Sequence, residues 1–475
     1  MAVRLVPAHG SGHAAGGWQG FVPLGRNRTA VLDLINNLWV LIAALLVFTM
    51  TISVGFLEVG ELGEELDSSL LKTILMTGTA LVVMAFVGFN TAFAPTAGGI
   101  IGHPFYSPGF FLGGFSTNSL TGTSGVWWSM RPAFFNTGLT PATYFLFETA
   151  FAAVTLALVG LVVLRKVKPA AFLGYSVVYF IVIWNLPAAW IWNPTGWLAK
   201  RGMVDFAGGL VVHGAAGAAG LGILCQIWRE ERRRGLRTSP QTPFKLSPGW
   251  LTLSILLLWV GWFGFNPGSV LAFNNEAMVV VITTFLAAAS CLLSMMVCAY
   301  VISKHDPDLQ PLYAVNGILM GLIIITPLAG FVSPASAVVL GLFGGPLFLG
   351  AERFLSRFTW FSDPAGLLAG HLVGGLFGVT MIAFFAQRRF AAGSGFPKLP
   401  DGLFFGGGGS AVHQLGVELL GIVTVMATVF VLSFATVALL ARLFGSITTE
   451  YGHPGTAPAE IAPPPNPPSG AAAAS

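Results

Sequence analysis

Eleven apolar runs alternate with short polar stretches along the chain, at 33–57, 73–95, 142–164, 170–192, 205–228, 249–272, 277–302, 312–331, 336–352, 364–386 and 412–444. A bilayer core about 30 Å thick takes about 20 apolar residues of helix to cross, so each run is expected to span a membrane once. The eighth and ninth runs are short and rich in Gly and Pro, residues that interrupt helices. The expected fold class is an all-α membrane protein with eleven transmembrane helices.

Composition agrees with the pattern. Of 475 residues, 55% are hydrophobic and 9% charged, against about 25% charged in a soluble domain. Lysine and arginine sit in the connections rather than along one face, so the net charge of +4 bears on topology and not on nucleic acid. Fourteen of the 23 basic residues follow odd-numbered runs, among them Arg229, Arg232, Arg233, Arg234 and Arg237. By the positive-inside rule this places the N-terminus outside and the C-terminus in the cytoplasm. Glu58, Glu61, Glu64, Glu65 and Asp67 are read as an acidic first cytoplasmic connection.

Three regions follow. Residues 1–30 lack the continuous apolar core of a secretory signal and are expected to form an extracellular tail. Residues 31–445 form the membrane domain, and 446–475, rich in Pro and Ala, a disordered cytoplasmic tail. The long stretch 96–140, rich in Gly, Ser, Thr and aromatics, is expected to cap an outer vestibule. Cys225, Cys291 and Cys298 lie in apolar runs without CxxC spacing, so no disulfide framework, metal or cofactor is expected.

Chemistry appears in an internal repeat. Residues 205–220 read DFAGGLVVHGAAGAAG and 363–378 read DPAGLLAGHLVGGLFG, one pattern of Asp-x-Ala-Gly, four residues, His, then glycines four and seven further on. Five spans separate the copies, so they are expected to run antiparallel, as in an inverted five-plus-five repeat with its site near the midplane. Asp205 and Asp363 can each cap a helix N-terminus. Eight residues and about 12 Å later, His213 and His371 sit deep in the membrane, where an ionisable side chain is costly and points to function. The glycines beyond each histidine let another helix approach closely. His9, His13, His103, His305, His413 and His453 lie in connections or at span ends.

At DFAGGLVVHGAAG the chain resembles the ammonium transporter, methylamine permease and Rhesus family. GFLEVGE at 55–61, FETAFAAVT at 147–155, AAWIW at 188–192, GWFGFNPGS at 261–269, the second histidine motif at 363–371 and HQ at 413–414 stand in the family's order. The resemblance covers about residues 30–445 and implies a homotrimer of separate pores, with ammonium or ammonia as substrate and membrane lipid around it. It implies a recruitment site at Phe147, Trp192 and Ser269, a gate of Phe151 and Phe265, pore histidines His213 and His371, and a structural acid at Asp205. No enzyme activity is implied.

Those side chains suit a small cation. Trp192 and the phenyl rings offer cation–π faces, and Ser269 a lone pair. Carrying the intact ion through hydrocarbon is costly, whereas histidine can shuttle a proton. Departures from the family pattern are Glu148, where many relatives are neutral, Gly366, where bacterial relatives often carry a second acid after the Asp363 position, and a shortened tail, ITTEYGHPG. Glu148 either enriches cations in the vestibule or faces a neighbouring helix. The tail bears on regulation by a nitrogen-signalling protein at the cytoplasmic face. Two rival readings are an ammonium sensor of the same family and a redox protein using the two histidines as haem ligands.

Overall fold

The computed structural model describes residues 24–63, 66–104, 139–163, 167–235, 246–302, 310–358, 360, 361, 363 and 365–448. Among them are eleven long apolar helices: α1 Leu24–Leu62, α2 Leu66–Phe93, α3 Pro141–Val163, α4 Pro169–Ile191, α5 Gly209–Arg233, α6 Pro248–Gly268, α7 Asn275–Ile302, α8 Gln310–Ile325, α9 Pro334–Leu355, α10 Leu367–Phe385 and α11 Gly408–Leu443. Ten are long enough to cross a bilayer outright, and α8 is the short one. It stops where Pro327, which has no N–H to donate, begins a buried turn. Phe206 N–H donates to the Pro327 carbonyl at 3.0 Å, and the Pro327 ring packs against Gly209 and Gly378.

Centre and perimeter follow from which faces are apolar. The α3 window is 94% buried, whereas that of α11 is 28% buried and shows Val423, Val431 and Leu439 outward. A helix apolar all round that hides every face belongs in the middle of a bundle; one that exposes its apolar face meets lipid. The segment after α2 folds back as a two-residue antiparallel pair, β1 Thr96–Ala97 with β2 Ile101–Gly102, held to Thr195 by side-chain hydrogen bonds. Most of the expected vestibule cap lies outside the described residues.

Three sequence expectations change. First, α1 runs to Leu62, so Glu58 and Glu61 are helical and buried rather than part of an acidic connection. Glu58 is 1% exposed; its Oε1 accepts from Lys72 Nζ at 2.6 Å and its Oε2 from Ser69 Oγ. A buried carboxylate with a cation and a hydroxyl on its two oxygens can stay in a helix, which a run-length reading misses. Second, α5 and α10 begin at Gly209 and Leu367, because each Asp-x-Ala-Gly forms a capping turn outside the helix. Third, Ser446–Thr448 are ordered: Ser446 Oγ and the Ile447 and Thr448 amides donate to the Glu230 carboxylate, and Val167 bridges to Thr448. The remainder of the tail, 449–475, lies outside the described residues.

The two repeat helices are antiparallel. A Cβ on Gly217 would meet Leu372 and one on Gly220 would meet Leu367, while one on Gly375 would meet the Gly209 carbonyl oxygen at 2.3 Å and His213 Cβ at 3.1 Å. Rising numbers on α5 thus face falling numbers on α10. Of the four glycines read from sequence as close-approach positions, Gly217, Gly220 and Gly375 form the crossing, while Gly378 packs against Ile324 and Pro327. Gly375→Ala presses a methyl group onto backbone, and overpacking of this kind costs about 1–3 kcal/mol or more. The expected result is a lower apparent unfolding midpoint in detergent; an unchanged midpoint would mean that the helices stand further apart.

Candidate functional site

Each repeat begins with the same local construction. Gly208 at φ 112° and Gly366 at φ 62° turn the chain in the left-handed region, which a glycine adopts without a Cβ penalty. Gly366 meets this backbone conformation without strain. Asp205 reaches past its turn to the exposed amides of the helix: Gly208 and Gly209 donate to Oδ1 at 3.0 and 2.7 Å, Leu210 and Val211 to Oδ2 at 2.8 and 2.9 Å. Leu368 and Ala369 donate to Asp363 Oδ2 at 2.9 and 3.0 Å. Burial pushes the Asp363 carboxyl up to about 6, against these amides, which pull it down.

The first turns beyond these caps, Gly209–Gly214 and Leu367–Leu372, are π-helical. Such turns insert an extra residue and cluster at functional sites. Both histidines ride on them. They are buried, with Nδ1 of His213 3.1 Å from Nδ1 of His371 and ring centroids 5.1 Å apart. Two like nitrogens at that distance bond only if one carries the proton and the other accepts it, so the rings are held in opposite tautomers. His213 Nε2 is buried with no partner among the described residues.

On the Asp205 side an aromatic ladder leads to the pair. Phe147 lies 4.8 Å from Phe151, Phe151 4.4 Å from Phe265, and Phe265 5.9 Å from the His213 ring at an interplanar angle of 12°. Trp192 stands edge-on to Phe151 at 5.7 Å, its indole N–H donating to the Asp205 carbonyl at 2.8 Å. Ser269 Oγ donates to the Phe265 carbonyl at 2.8 Å, which leaves its own lone pairs free to accept. Trp192 and Ser269 are half-buried, whereas Phe147, Phe151 and Phe265 are closed over.

A narrow cavity passes the histidines, lined also by Met50, Val54, Leu57, Val154, Leu158, Leu258, Trp262, Phe265 and Leu319. It has room for about one water-sized molecule. Apart from the imidazoles and the Trp262 indole, whose N–H is given to Thr326 at 3.1 Å, the lining is aliphatic side chains, the Met50 thioether and one phenyl ring. Its walls offer little to replace the hydration shell of an ion, which disfavours an ion there against a small neutral molecule.

The structure therefore brings together Phe147, Phe151, Phe265, Trp192, Ser269, His213 and His371. Asp205 supports them from behind. Asp363 caps the opposite helix at the far end. Glu148 is buried and shares a hydrogen bond with Tyr144, one turn earlier on the same helix α3, whose ring packs against Phe89 and Phe93 of α2. His413 is exposed. Sequence reasoning passed over Trp262, 5.8 Å from the His213 ring, although GWFGFNPGS had already placed it one turn before Phe265. The α1 lining was also missed, and its spacing of three and four residues at Met50, Val54 and Leu57 was the available signal.

A polytopic bundle whose one-molecule-wide, largely apolar cavity carries a histidine pair defines a membrane transport protein for a small solute. The model described as Ammonium Transporter Family matches residues 38–457, and the chain belongs to that family. It is 30% identical over 407 residues to an ammonium transporter of Mycobacterium tuberculosis, covering 82% of this chain and 81% of the relative. It is 27% identical over 420 residues to the ammonium transporter of Bacillus subtilis, covering 87% and 94%. Among solved structures, Saccharomyces cerevisiae Mep2 matches with a TM-score of 0.74 at 26% identity over 90% of each chain. A sensor Amt protein matches with 0.71 at 25% identity, over 88% of this chain and 96% of that one.

Proposed function

We propose that this chain moves ammonium across a cytoplasmic membrane by capturing the cation, removing its proton and passing neutral ammonia by the histidine pair. The observation that carries the reading is the 3.1 Å contact between Nδ1 atoms inside an apolar cavity. It combines a wall that ions cannot cross with a proton-sharing group that a plain hydrophobic channel does not need. Trp192, Phe147 and Ser269 receive the ion, Phe151 and Phe265 gate it, and Asp205 holds both the first turn of α5 and the Trp192 indole in place. The aromatic end faces outward, with the N-terminus outside and the C-terminus in the cytoplasm, in keeping with the distribution of Lys and Arg. The assembly is a homotrimer with one pore per chain. A signalling protein, if one binds, meets the cytoplasmic face near Ser446–Thr448. Transport is favoured over sensing because the curated relatives are named as transporters; the haem reading finds no support in rings that contact each other directly.

The test is an ammonium concentration jump on proteoliposomes of the full chain, read as current on a solid-supported membrane. A current for ammonium and none for sodium is expected; no ammonium current at any pH would defeat the reading. Within the same assay, Trp192→Leu removes a cation–π face worth about 0.5–2 kcal/mol. Half-saturation should move to about two- to thirtyfold higher ammonium, with the fold intact by gel filtration. An unmoved half-saturation would take Trp192 out of the capture site.

A further inference from the structure

The mechanism above leaves one buried acid unused. Glu61 is 6% exposed and its Oε2 has no hydrogen-bond partner among the described residues. It stands on the last turn of α1, four residues beyond Leu57, continuing the stripe of Met50, Val54 and Leu57 that lines the cavity. At 1.5 Å per residue this puts it about 6 Å beyond Leu57 along α1, toward the Asp363 end.

Its neighbours are acids. The carboxylates of Asp363, ahead of α10, and Glu352, on the last turns of α9, both lie within electrostatic reach of it. Asp363 Oδ1 is likewise buried without a partner. Among the described residues no cation answers them: Lys72 on α2 is committed to Glu58, the ion pair there, while Arg353 and Arg357 at the end of α9 are exposed. The first residues of α6, which close over Gly60 at Trp250 and Leu251, bring no titratable group. Carboxylates crowded round a buried one disfavour its ionisation, so the cluster retains a proton.

We infer that Glu61, with Asp363 beside it, is the proton donor that converts emerging ammonia back to ammonium at the far mouth of the conduit. This rests on the transport reading above and adds a residue to it. The ammonia nitrogen lone pair takes the carboxyl proton, the O–H bond breaks with its electrons left on Glu61, and ammonium departs into water from the side of exposed Glu352. The proton stripped at capture and handed on by the histidine pair restores the acid. The unpartnered oxygens of Glu61 and Asp363 can in turn accept from the newly formed N–H groups.

Glu61→Gln keeps the shape and removes the transferable proton, and Glu61→Asp keeps the acid. Ammonium-evoked current is measured on proteoliposomes of the full chain across a pH series for wild type and both variants. The Gln variant should lose at least about tenfold in current and flatten the pH profile, with half-saturation unmoved because capture lies at the other end. The Asp variant should recover current with a displaced profile. A Gln variant with wild-type current and pH profile would overturn the assignment, whereas absence of current in wild type would overturn transport itself. If the Gln variant does not reach the membrane folded, wild type is treated with a hydrophobic carbodiimide, which modifies protonated buried carboxyls. Modification of Glu61, located by mass spectrometry, together with loss of current supports the donor; an unmodified Glu61, or a modified one with full current, refutes it.

Discussion

Ammonium-evoked current should disappear when His213 and His371 are both replaced by Ala, and potassium should begin to compete with ammonium when His213 alone becomes Asp. The first result follows from the 3.1 Å contact between Nδ1 atoms. Two rings in opposite tautomers pass a proton along by exchanging roles, and no other titratable group lines the cavity. Methyl groups leave the conduit open to neutral solutes but remove the relay, so the charged flux should fall by at least about a hundredfold, the usual scale for loss of a positioned acid or base. The second result follows from electrostatics. A fixed carboxylate about 4 Å from a passing cation contributes about 4 kcal/mol at an effective dielectric of 20, enough to raise cation occupancy by about a thousandfold. Potassium then gains what the hydrocarbon wall denied it. The measurement is current with and without potassium for wild type, His213→Asp and the double Ala variant; three identical responses would reduce the histidines to struts.

Loss of the Asp205 carboxylate should be the most destabilising single change at the site, and far worse than the same change at Asp363. Asp205 is 1% exposed and takes all four amides from Gly208 to Val211. Asp205→Ala orphans four buried donors, each costing about 1–3 kcal/mol, well beyond the roughly 1 kcal/mol of an ordinary exposed cap. Asp363 is partly open to solvent and receives Leu368 and Ala369. Water can take over there, so Asp363→Ala should cost about 1 kcal/mol. Apparent unfolding midpoints in detergent should fall in that order, with Asp205→Asn between the two. Equal midpoints for both Ala variants would contradict the difference in burial.

Much of this was legible in the residues alone. Long apolar runs give spans because hydrocarbon admits no unpaired backbone, and two copies of one motif separated by five crossings must oppose each other. The glycines at 217, 220 and 375 announced the crossing, and the aspartates announced their caps. What failed to show were matters decided by partners far off in sequence. Glu58 and Glu61 looked like a connection because acids end apolar runs; one is held by Lys72 and Ser69, and the other is buried at the end of α1 near Asp363 and Glu352. The π-helical turns carry no distinguishing composition. Pro327 ends α8 inside a run that hydropathy treats as continuous, since hydropathy counts apolar atoms and not missing N–H groups. Glu148 stands beside the capture residues in sequence, and its hydrogen bond to Tyr144, one turn back on α3, is set by the helix itself.

The centre of the conduit is nearly blind to direction. Equivalent rings, from equivalent turns of opposed helices, meet through the same Nδ1 atom, so a molecule arriving from either end finds the same midpoint. Vectorial behaviour cannot originate there. It has to come from the unlike mouths, aromatic rings at one end and carboxyl groups at the other, and from the gradients imposed on them. Reversing the gradient should therefore reverse the flux, with any rectification written in the mouths and erasable without touching a histidine.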